Sequence, residues 1–267
     1  RYISVTGVQT CALPISIVAL VGDTEERVRF LNIDTPEVGT CMADRATAHT
    51  SRHLPSGGAI NLRYDRDLRD PYDRLLALVR PVGGEWLSVS LAEHGLGFPL
   101  TIAPNSAYAG RVEAAAARAR RDGVGMFSPR RACTPVSRVR RANALVTQAQ
   151  SMPVRSRAQY DAVNRRLGRA AAVLALASAA RYGIRSAWFA AYSVDLRRPV
   201  ARRITSVRAS KTRQWNIIRN SGGTGSTGSG GSSSGSGSGS SGGSGSGTYN
   251  GPRCYEPGGV VWHPCRS

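Results

Sequence analysis

The segment from Arg29 to Glu37 constrains the fold more than any other stretch of the chain. Apart from the apolar pair Phe30-Leu31, its residues alternate between polar and apolar up to Ile33, which is typical of a half-buried strand. A Thr-Pro pair then ends the strand, because proline cannot donate a ladder hydrogen bond and fixes its own backbone angle. Asp34 and Glu37 are therefore expected at the exposed end of a strand. Two carboxylates there can hold a hard cation and activate a water, and Arg29 can bind a phosphate through two parallel hydrogen bonds.

A second charged string, Asp-Pro-Tyr-Asp-Arg, lies downstream at residues 70–74. Together the two strings resemble the signature of the staphylococcal-nuclease (thermonuclease) family, in which an Asp-Thr-Pro-Glu turn is followed by an Asp-x-Tyr-Gly-Arg turn. The resemblance covers about residues 17–128. It implies an α+β domain over 17–135, with a five-stranded OB-fold β-barrel and about three helices. Taken alone, the first string is also compatible with a strand and a proline turn that carry incidental charges.

The resemblance implies a calcium-dependent nuclease that hydrolyses phosphodiester bonds of DNA or RNA with little base specificity. Asp34 and the carbonyl of Thr35 would bind Ca²⁺, which prefers oxygen ligands. Glu37 would act as general base on the attacking water, while Arg29 and Arg74 would stabilise charge on the phosphate. The alternative is a noncatalytic OB-fold module that binds nucleic acid. A third interpretation is a surface-attached structural protein with a degenerate nuclease domain.

Two departures from the family pattern affect this interpretation. Asp73 stands where the family has glycine, so we expect either a distorted turn or a neighbour that pairs with Arg74. The segment 98–104 contains no tyrosine, so nucleotide contacts would have to come from another residue such as Phe98 or Tyr108.

The first sixteen residues are predicted to be an artefact, because residues 5–15 look like a translated sequencing adapter; a genuine irregular N-terminus is the alternative. In the family, an Asp-Gly-Asp-Thr motif precedes the Asp-Thr-Pro-Glu turn by about eighteen residues, and its second aspartate binds calcium. Counting back from Asp34 leads to Ser16, so this ligand is missing. Asp23 is expected instead at the tip of a hairpin between strands at 17–21 and 27–33.

Local patterns predict further elements in the nuclease-like region. They are a helix at 43–54, strands at 59–65 and 74–79, a short strand at 86–87, a helix from Ser88 to Gly95, and a helix from 105 or 106 to 122. His49 and His53 are one helical turn apart, which is a metal-ligand spacing. Because no third ligand accompanies them, we interpret them as solvated surface residues.

Charge divides the chain sharply. Residues 17–135 carry 15 arginines and 14 acids, whereas residues 136–220 carry 18 basic residues and 2 acids. This basic extension is predicted to be helical at about 158–182 and again around 186–194, with Pro199 ending the second helix. It is either a solvated spacer or a segment that binds a polyanion such as nucleic acid in a salt-sensitive manner. A third alternative is that part of it is out of frame.

The end of the chain consists of a Gly/Ser linker at 221–247, expected to be disordered, and a small tail at 248–267. Cys254 and Cys265 suggest a disulfide-closed loop in that tail. Cys41 and Cys133 are expected either to pair or to remain as thiols. Two such pairs would favour a secreted or cell-surface protein, although the truncated N-terminus hides any signal peptide. We expect a monomer without a membrane span.

Overall fold

The structure is a computed structural model that describes residues 2–5, 8–221, 253–255 and 262–264, with side chains described for 14–221. Residues 1–224 form one compact unit. The described strands of this unit are eight short segments. They are β1 (Tyr2–Val5), β2 (Val8–Leu13), β3 (Ser16–Val21), β4 (Thr24–Phe30), β5 (Ile33–Asp34), β6 (Ile60–Arg63), β7 (Leu75–Pro81) and β8 (Phe98–Pro99).

The main sheet has six strands in the order β1-β6-β7-β4-β3-β2, while β5 and β8 pair separately. The sequence led us to expect five strands in a closed barrel. The described part of the sheet has six, and its two edge strands are formed by residues 2–5 and 8–13, which we predicted to be extraneous. Backbone pairing does not distinguish a native strand from a foreign one, so the predicted artefact at 1–16 stays a prediction.

The predicted hairpin between β3 and β4 is confirmed. The two strands pair antiparallel from Ser16↔Arg29 to Val21↔Thr24, and Gly22 makes the turn with a φ of 65°. Asp23 is exposed at the tip, as expected.

Parallel pairing of β4 with β7 brings the two charged strings together. The register places Val28 opposite Leu75 and Arg29 opposite Leu76. Arg74, the residue that precedes β7, therefore lies beside the middle of β4, although 45 residues separate it from Arg29 in the sequence. The antiparallel pair of β5 with β8 then fixes Asp34 opposite Phe98.

Six α-helices are described, so the unit is α+β. They are α1 (Ala43–His53), α2 (Leu87–Glu93), α3 (Ala109–Asp122), α4 (Pro135–Ser151), α5 (Arg157–Ala175) and α6 (Ala187–Ser221). The predicted strand at 86–87 is wrong, because Trp86 already precedes the first turn of α2. As predicted, α3 ends at Gly123, whose φ is 65°.

Pro199 does not end a helix, contrary to the prediction, since α6 continues through it to Ser221. A proline inside a helix costs about 3 kcal/mol. The apolar side chains that follow it, Val200, Ile204 and Val207, are buried against α4 and α5. Burial of an aliphatic side chain contributes about 1.5–3 kcal/mol, so packing in the three-helix core outweighs the proline.

The basic extension packs against the nuclease-like region. One buried cluster joins Phe98 and Phe127 of the nuclease-like region to Tyr182, Phe189 and Tyr192 of the extension. Phe98 and Phe189 lie with their ring centroids 4.1 Å apart. The boundary predicted at 135 is therefore a boundary in composition but not in packing.

Residues 225–267 form the second unit. Within it, β9 (Arg253–Tyr255) pairs antiparallel with β10 (Trp262–Pro264). The Gly/Ser linker beyond Ser221 and the predicted Cys254–Cys265 disulfide lie outside the residues whose side chains are described. Among the described helices, none has both the length and the apolar character required to span a bilayer.

Candidate active site

Residues from both charged strings line one small cleft of about 80 Å³. All five residues predicted from the sequence contribute to it: Arg29, Asp34, Thr35, Glu37 and Arg74. Two further polar residues, Ser16 and Arg185, line the same cleft. The structure thus gathers the whole predicted set and adds a residue from the basic extension.

Arg29 is buried on β4 and is tied to the main chain of its own turn. Its guanidinium donates to the carbonyl of Ile33 at 2.8 Å and to the carbonyl of Phe30. A guanidinium has five N–H groups, so these two bonds fix its orientation without using all its donors. Burial lowers the pKa of Arg29 to about 10, Asp34 opposes this effect, and the positive charges of Arg74 and Arg185 reinforce it. Arg29 is therefore still a cation at neutral pH.

Asp34 and Glu37 differ sharply in exposure. We expected both at an exposed strand end, but Asp34 is only 1% exposed. It is covered because β5 pairs with β8 and because the extension packs over it. Its Oδ2 accepts the main-chain N–H of Arg185 at 2.6 Å.

Glu37 is exposed, as expected, on a well-fixed turn. Its main-chain N–H donates to the carbonyl of Tyr182 at 2.9 Å. Its own carbonyl accepts the main-chain N–H of Thr40 at 3.0 Å and the Thr40 hydroxyl at 2.6 Å. The backbone of Glu37 is thus held on both sides while its carboxylate reaches the cleft.

Arg74 is paired by a neighbour, which is one of the two outcomes expected from the departure at Asp73. Asp70 Oδ2 accepts from Arg74 Nε at 2.7 Å and lies 2.6 Å from a terminal nitrogen of the same guanidinium. Burial alone would raise the pKa of Asp70, but hydrogen bonds from Arg74 and Tyr72 bring it below its ordinary value. Asp73 has a φ of 60°, the left-handed conformation for which glycine is best suited.

The aromatic contacts suggested by the sequence are wrong. Phe98 is fully buried, so it cannot stack on a base. Tyr108 is 8% exposed and its hydroxyl accepts from Arg63 at 2.8 Å. Tyr72, on the same turn as Arg74, is 72% exposed, and the Arg74 guanidinium carbon lies 5.6 Å from its ring centroid.

The oxygen donors at the cleft supply only part of the ligand set that a hard cation requires. Ser16, where the family pattern leads us to expect an aspartate, has a buried hydroxyl oxygen without a hydrogen-bond partner among the described residues. It joins the Asp34 carboxylate and the Thr35 carbonyl, and oxygen is the donor that Ca²⁺ prefers. Ca²⁺ takes six to eight such ligands, so water or phosphate would have to supply the rest. Within the described residues, no group of three or more His, Cys, Asp or Glu side chains could hold a metal ion.

Sequence reasoning missed Arg185, whose position in the cleft depends on tertiary packing. It lies 151 residues from Asp34 in a stretch with many arginines, and no local pattern singles it out. Only the path of the chain between the end of α5 and the start of α6 brings it to the cleft.

Two sequence comparisons bear on this site. Residues 27–129 match the sequence model of the family described as Staphylococcal nuclease homologue. These residues are therefore similar to the staphylococcal nuclease family and are called the nuclease-family region below. The thermonuclease of Staphylococcus intermedius is 37% identical over 90 residues, which is 32% of this chain and 52% of the relative. The chain therefore spans about half the length of that relative.

The extent of the family match separates the cleft residues into two groups. Arg29, Asp34, Glu37 and Arg74 fall inside the nuclease-family region, whereas Ser16 and Arg185 fall outside it. A disulfide between Cys41 and Cys133 ties this region to the start of the extension, and this decides between the two alternatives left open by the sequence.

The histidine pair lies away from the cleft, and the interpretation of His49 as a surface residue is wrong. His49 is 6% exposed, and its Nε2 lies 2.9 Å from the hydroxyl of Ser90. Burial, together with the nearby His53 and His94, lowers the pKa of His49 to about 4. The histidine therefore belongs to the core between α1 and α2.

A second, wider groove of about 1460 Å³ is lined by α1, the end of α2 and residues 122–140. Its charged lining consists of five arginines against two acids: Arg45, Arg52, Arg130, Arg131 and Arg140 against Glu93 and Asp122. The groove is therefore positive overall and suits an anionic ligand.

Proposed function

We propose that the nuclease-family region hydrolyses phosphodiester bonds of DNA or RNA with little base specificity. The observation that carries this proposal is the convergence of Arg29, Asp34, Glu37 and Arg74 on one small cleft. Two guanidiniums beside an exposed carboxylate provide phosphate binding and a proton acceptor in one place. Contacts to phosphate carry no sequence information, hence the expected lack of base specificity.

Each residue has a distinct role in this proposal. Glu37 accepts a proton from the attacking water as general base. Arg29 and Arg74 donate to phosphate oxygens and stabilise the negative charge that develops there. Their orientation is fixed beforehand, Arg29 by main-chain carbonyls and Arg74 by Asp70. Preorganised donors of this kind lower the barrier because they need no rearrangement during the reaction.

The proposed cofactor is Ca²⁺, held by the carboxylate of Asp34, the carbonyl of Thr35 and the unpartnered oxygen of Ser16. When bound, Ca²⁺ supplies a Lewis acid beside the phosphate. Calcium affinity rises with the number of charged ligands. Ser16→Asp is therefore expected to tighten Ca²⁺ binding about tenfold, measured by calorimetry without substrate. Ser16→Asn, which is similar in size but uncharged, is the matched control; equal affinity of the two variants would count against this site.

Cleavage of single-stranded DNA tests the reaction itself. The chain, its Ser16→Asp variant and the Ser16→Asp/Glu37→Gln variant are compared with Ca²⁺ and with EDTA. We expect calcium-dependent cleavage that is strongest in Ser16→Asp and about a hundredfold or more slower after Glu37→Gln, because general-base catalysis contributes about 10²–10⁴-fold. If all three proteins bind DNA and none of them cleaves it, the proposal that the chain is an enzyme is rejected.

A noncatalytic nucleic-acid-binding module is the second candidate, and one observation favours it. Oδ2 of Asp34 already accepts a hydrogen bond from Arg185, and a serine stands where the family carries its second carboxylate. Both features weaken a metal site while leaving the arginines in place. The cleavage assay distinguishes the two candidates, since a binding module retains DNA without cutting it.

The extension and the disulfide support two broader proposals. The extension adds nonspecific attraction for a polyanion, which the arginine-lined groove beside α4 supports. The protein acts outside the reducing cytosol, secreted or at the cell surface, because disulfides such as Cys41–Cys133 persist in oxidising compartments.

A further inference from the structure

The segment from Tyr182 to Ser186 lies directly against the turn that carries Asp34 and Glu37. The carbonyl of Tyr182 accepts the main-chain N–H of Glu37 at 2.9 Å. The main-chain N–H of Arg185 donates to Asp34 Oδ2 at 2.6 Å, and the Ser186 hydroxyl donates to the carbonyl of Pro99. Each contact joins the extension to a strand or turn of the cleft, so this segment is one of its walls.

The fold does not require an arginine side chain at position 185. Its main-chain N–H makes the bond to Asp34, and any residue except proline could supply that donor. Arg185 itself is exposed and lines the cleft. No carboxylate of the described residues forms an ion pair with its guanidinium. The guanidinium is therefore available to a ligand.

The charges at the cleft favour an anionic ligand. Arg29, Arg74 and Arg185 are close enough for the two others to lower the pKa of Arg29. Against them stand Asp34 and Glu37 at the cleft, with Asp70 paired to Arg74. In addition, α6 begins at Ala187, so the positive end of its helix dipole lies next to Arg185 in the sequence. A volume of about 80 Å³ suits a single phosphate group better than a nucleobase.

We propose that Arg185 is a substrate-binding residue that grips a phosphate of the nucleic-acid strand together with Arg29 and Arg74. The inference rests on the proposed function and adds to it a third cation, which comes from outside the family match. In this arrangement the extension is part of the binding site, and the nuclease-family region alone binds the strand less tightly.

The test measures binding of a 5′-phosphorylated dithymidylate dinucleotide by calorimetry in a Glu37→Gln background, where cleavage is suppressed. Arg185→Ala is expected to weaken binding about tenfold, because it removes a charge-assisted hydrogen bond to the phosphate. The slope of log Kd against log salt concentration should become shallower by about 0.7, the value for one phosphate contact on a single strand. A purely structural role would leave that slope unchanged.

Three further variants complete the test. Arg185→Lys keeps the charge and should preserve the salt slope with part of the affinity. Arg74→Ala is the positive control for the cleft. Arg181→Ala removes an exposed arginine that immediately precedes this segment and does not line the cleft, and it should change neither quantity.

Two outcomes would overturn the inference. One is unchanged affinity and salt slope in a folded Arg185→Ala protein; the other is tighter binding, which would make Arg185 an obstacle to the ligand. Neither depends on catalysis, because cleavage is measured separately with Glu37 intact. Failure of the proposed reaction would therefore appear as absent cleavage with the Arg185 dependence of binding retained.

Discussion

At the scale of single residues, the site depends on how differently two nearby carboxylates are placed. Asp34 is held in the protein interior by the N–H of Arg185, whereas Glu37 stays exposed on a turn whose backbone is fixed. A buried carboxylate with a fixed orientation suits ligand binding, and an exposed one suits proton exchange with water. The two roles proposed above thus follow from environment as well as from position in the sequence.

Asp73 offers a test of local strain beside the cleft. Its φ of 60° costs a non-glycine residue about 1 kcal/mol or more. Asp73→Gly should therefore raise the free energy of unfolding by about 1 kcal/mol, measured by urea denaturation. Its ion pair with Arg69 is exposed, so little stability is lost with it. Asp73→Ala keeps the strain and should give no gain; equal gains in both variants would contradict the explanation.

His49 predicts a pH dependence of stability. Its pKa is about 4 in the folded protein, because of burial and then the neighbouring His53 and His94, and about 6.5 in the unfolded chain. Between these values the unfolded chain binds more protons, so stability rises with pH. The contribution is complete above about pH 6.5 and disappears as the pH falls toward about 4.

Urea denaturation of the protein and of His49→Gln between about pH 4 and pH 7 measures this dependence. The variant should lose less stability than the parent as the pH falls. Parallel curves would show that other groups determine the acid response.

The residues of the site could be predicted from the sequence because short strings of fixed spacing carry them. The strings name Arg29, Asp34, Glu37 and Arg74, and all four line one cleft. The burial of Asp34 and His49 could not be predicted, because it depends on elements far away in the sequence. For the same reason, no local pattern pointed to Arg185.

At the scale of secondary structure elements, the link between α5 and α6 determines how closely the extension approaches Glu37. Gly183 lies in this link with a φ of 67°, and a Cβ built on it would come within 2.0 Å of Glu37 Cγ and 2.8 Å of Glu37 Cβ. The close approach of this link to the turn that carries Glu37 therefore requires a residue without a side chain.

Gly183→Ala is expected to displace Glu37 and to lower the cleavage rate at least tenfold, because small misplacements of a catalytic group are costly. It should also lower the free energy of unfolding by about 1–3 kcal/mol through backbone strain. Gly168→Ala is the control, since its Cβ would meet nothing within 4 Å. A Gly183→Ala protein with undiminished cleavage would show that the turn tolerates movement of the link.

Pro199 shows why element boundaries in the extension were harder to predict than those in the nuclease-family region. Local rules end a helix at proline, yet α6 continues because its later turns are buried between α4 and α5. In the nuclease-family region the local rules and the packing agree, as at Gly123, and the predicted helix ends there.

At the scale of the whole molecule, the nuclease-family region and the extension share one apolar cluster around Phe98 and Phe189. A chain that ends after Thr134 keeps Cys133 but exposes Phe98 and Phe127. It should lose about 3–6 kcal/mol of unfolding free energy, given about 1.5–3 kcal/mol for each of the two buried phenylalanines. A chain that ends after Ser221 is the control and should match the full chain. Equal stability of both truncations, measured by urea denaturation, would show that the two regions fold independently.

The contact between Asp34 and Arg185 also sets an order of events during synthesis. A ribosome releases the chain from its N-terminus at roughly 5–20 residues per second. Helix α3 ends at Asp122, and Arg185 is added roughly 60 residues later. The cleft of a nascent chain therefore lacks one wall for roughly 3–12 seconds. During that interval the strands and the turn of the cleft have already been synthesised, whereas the segment that carries Arg185 has not.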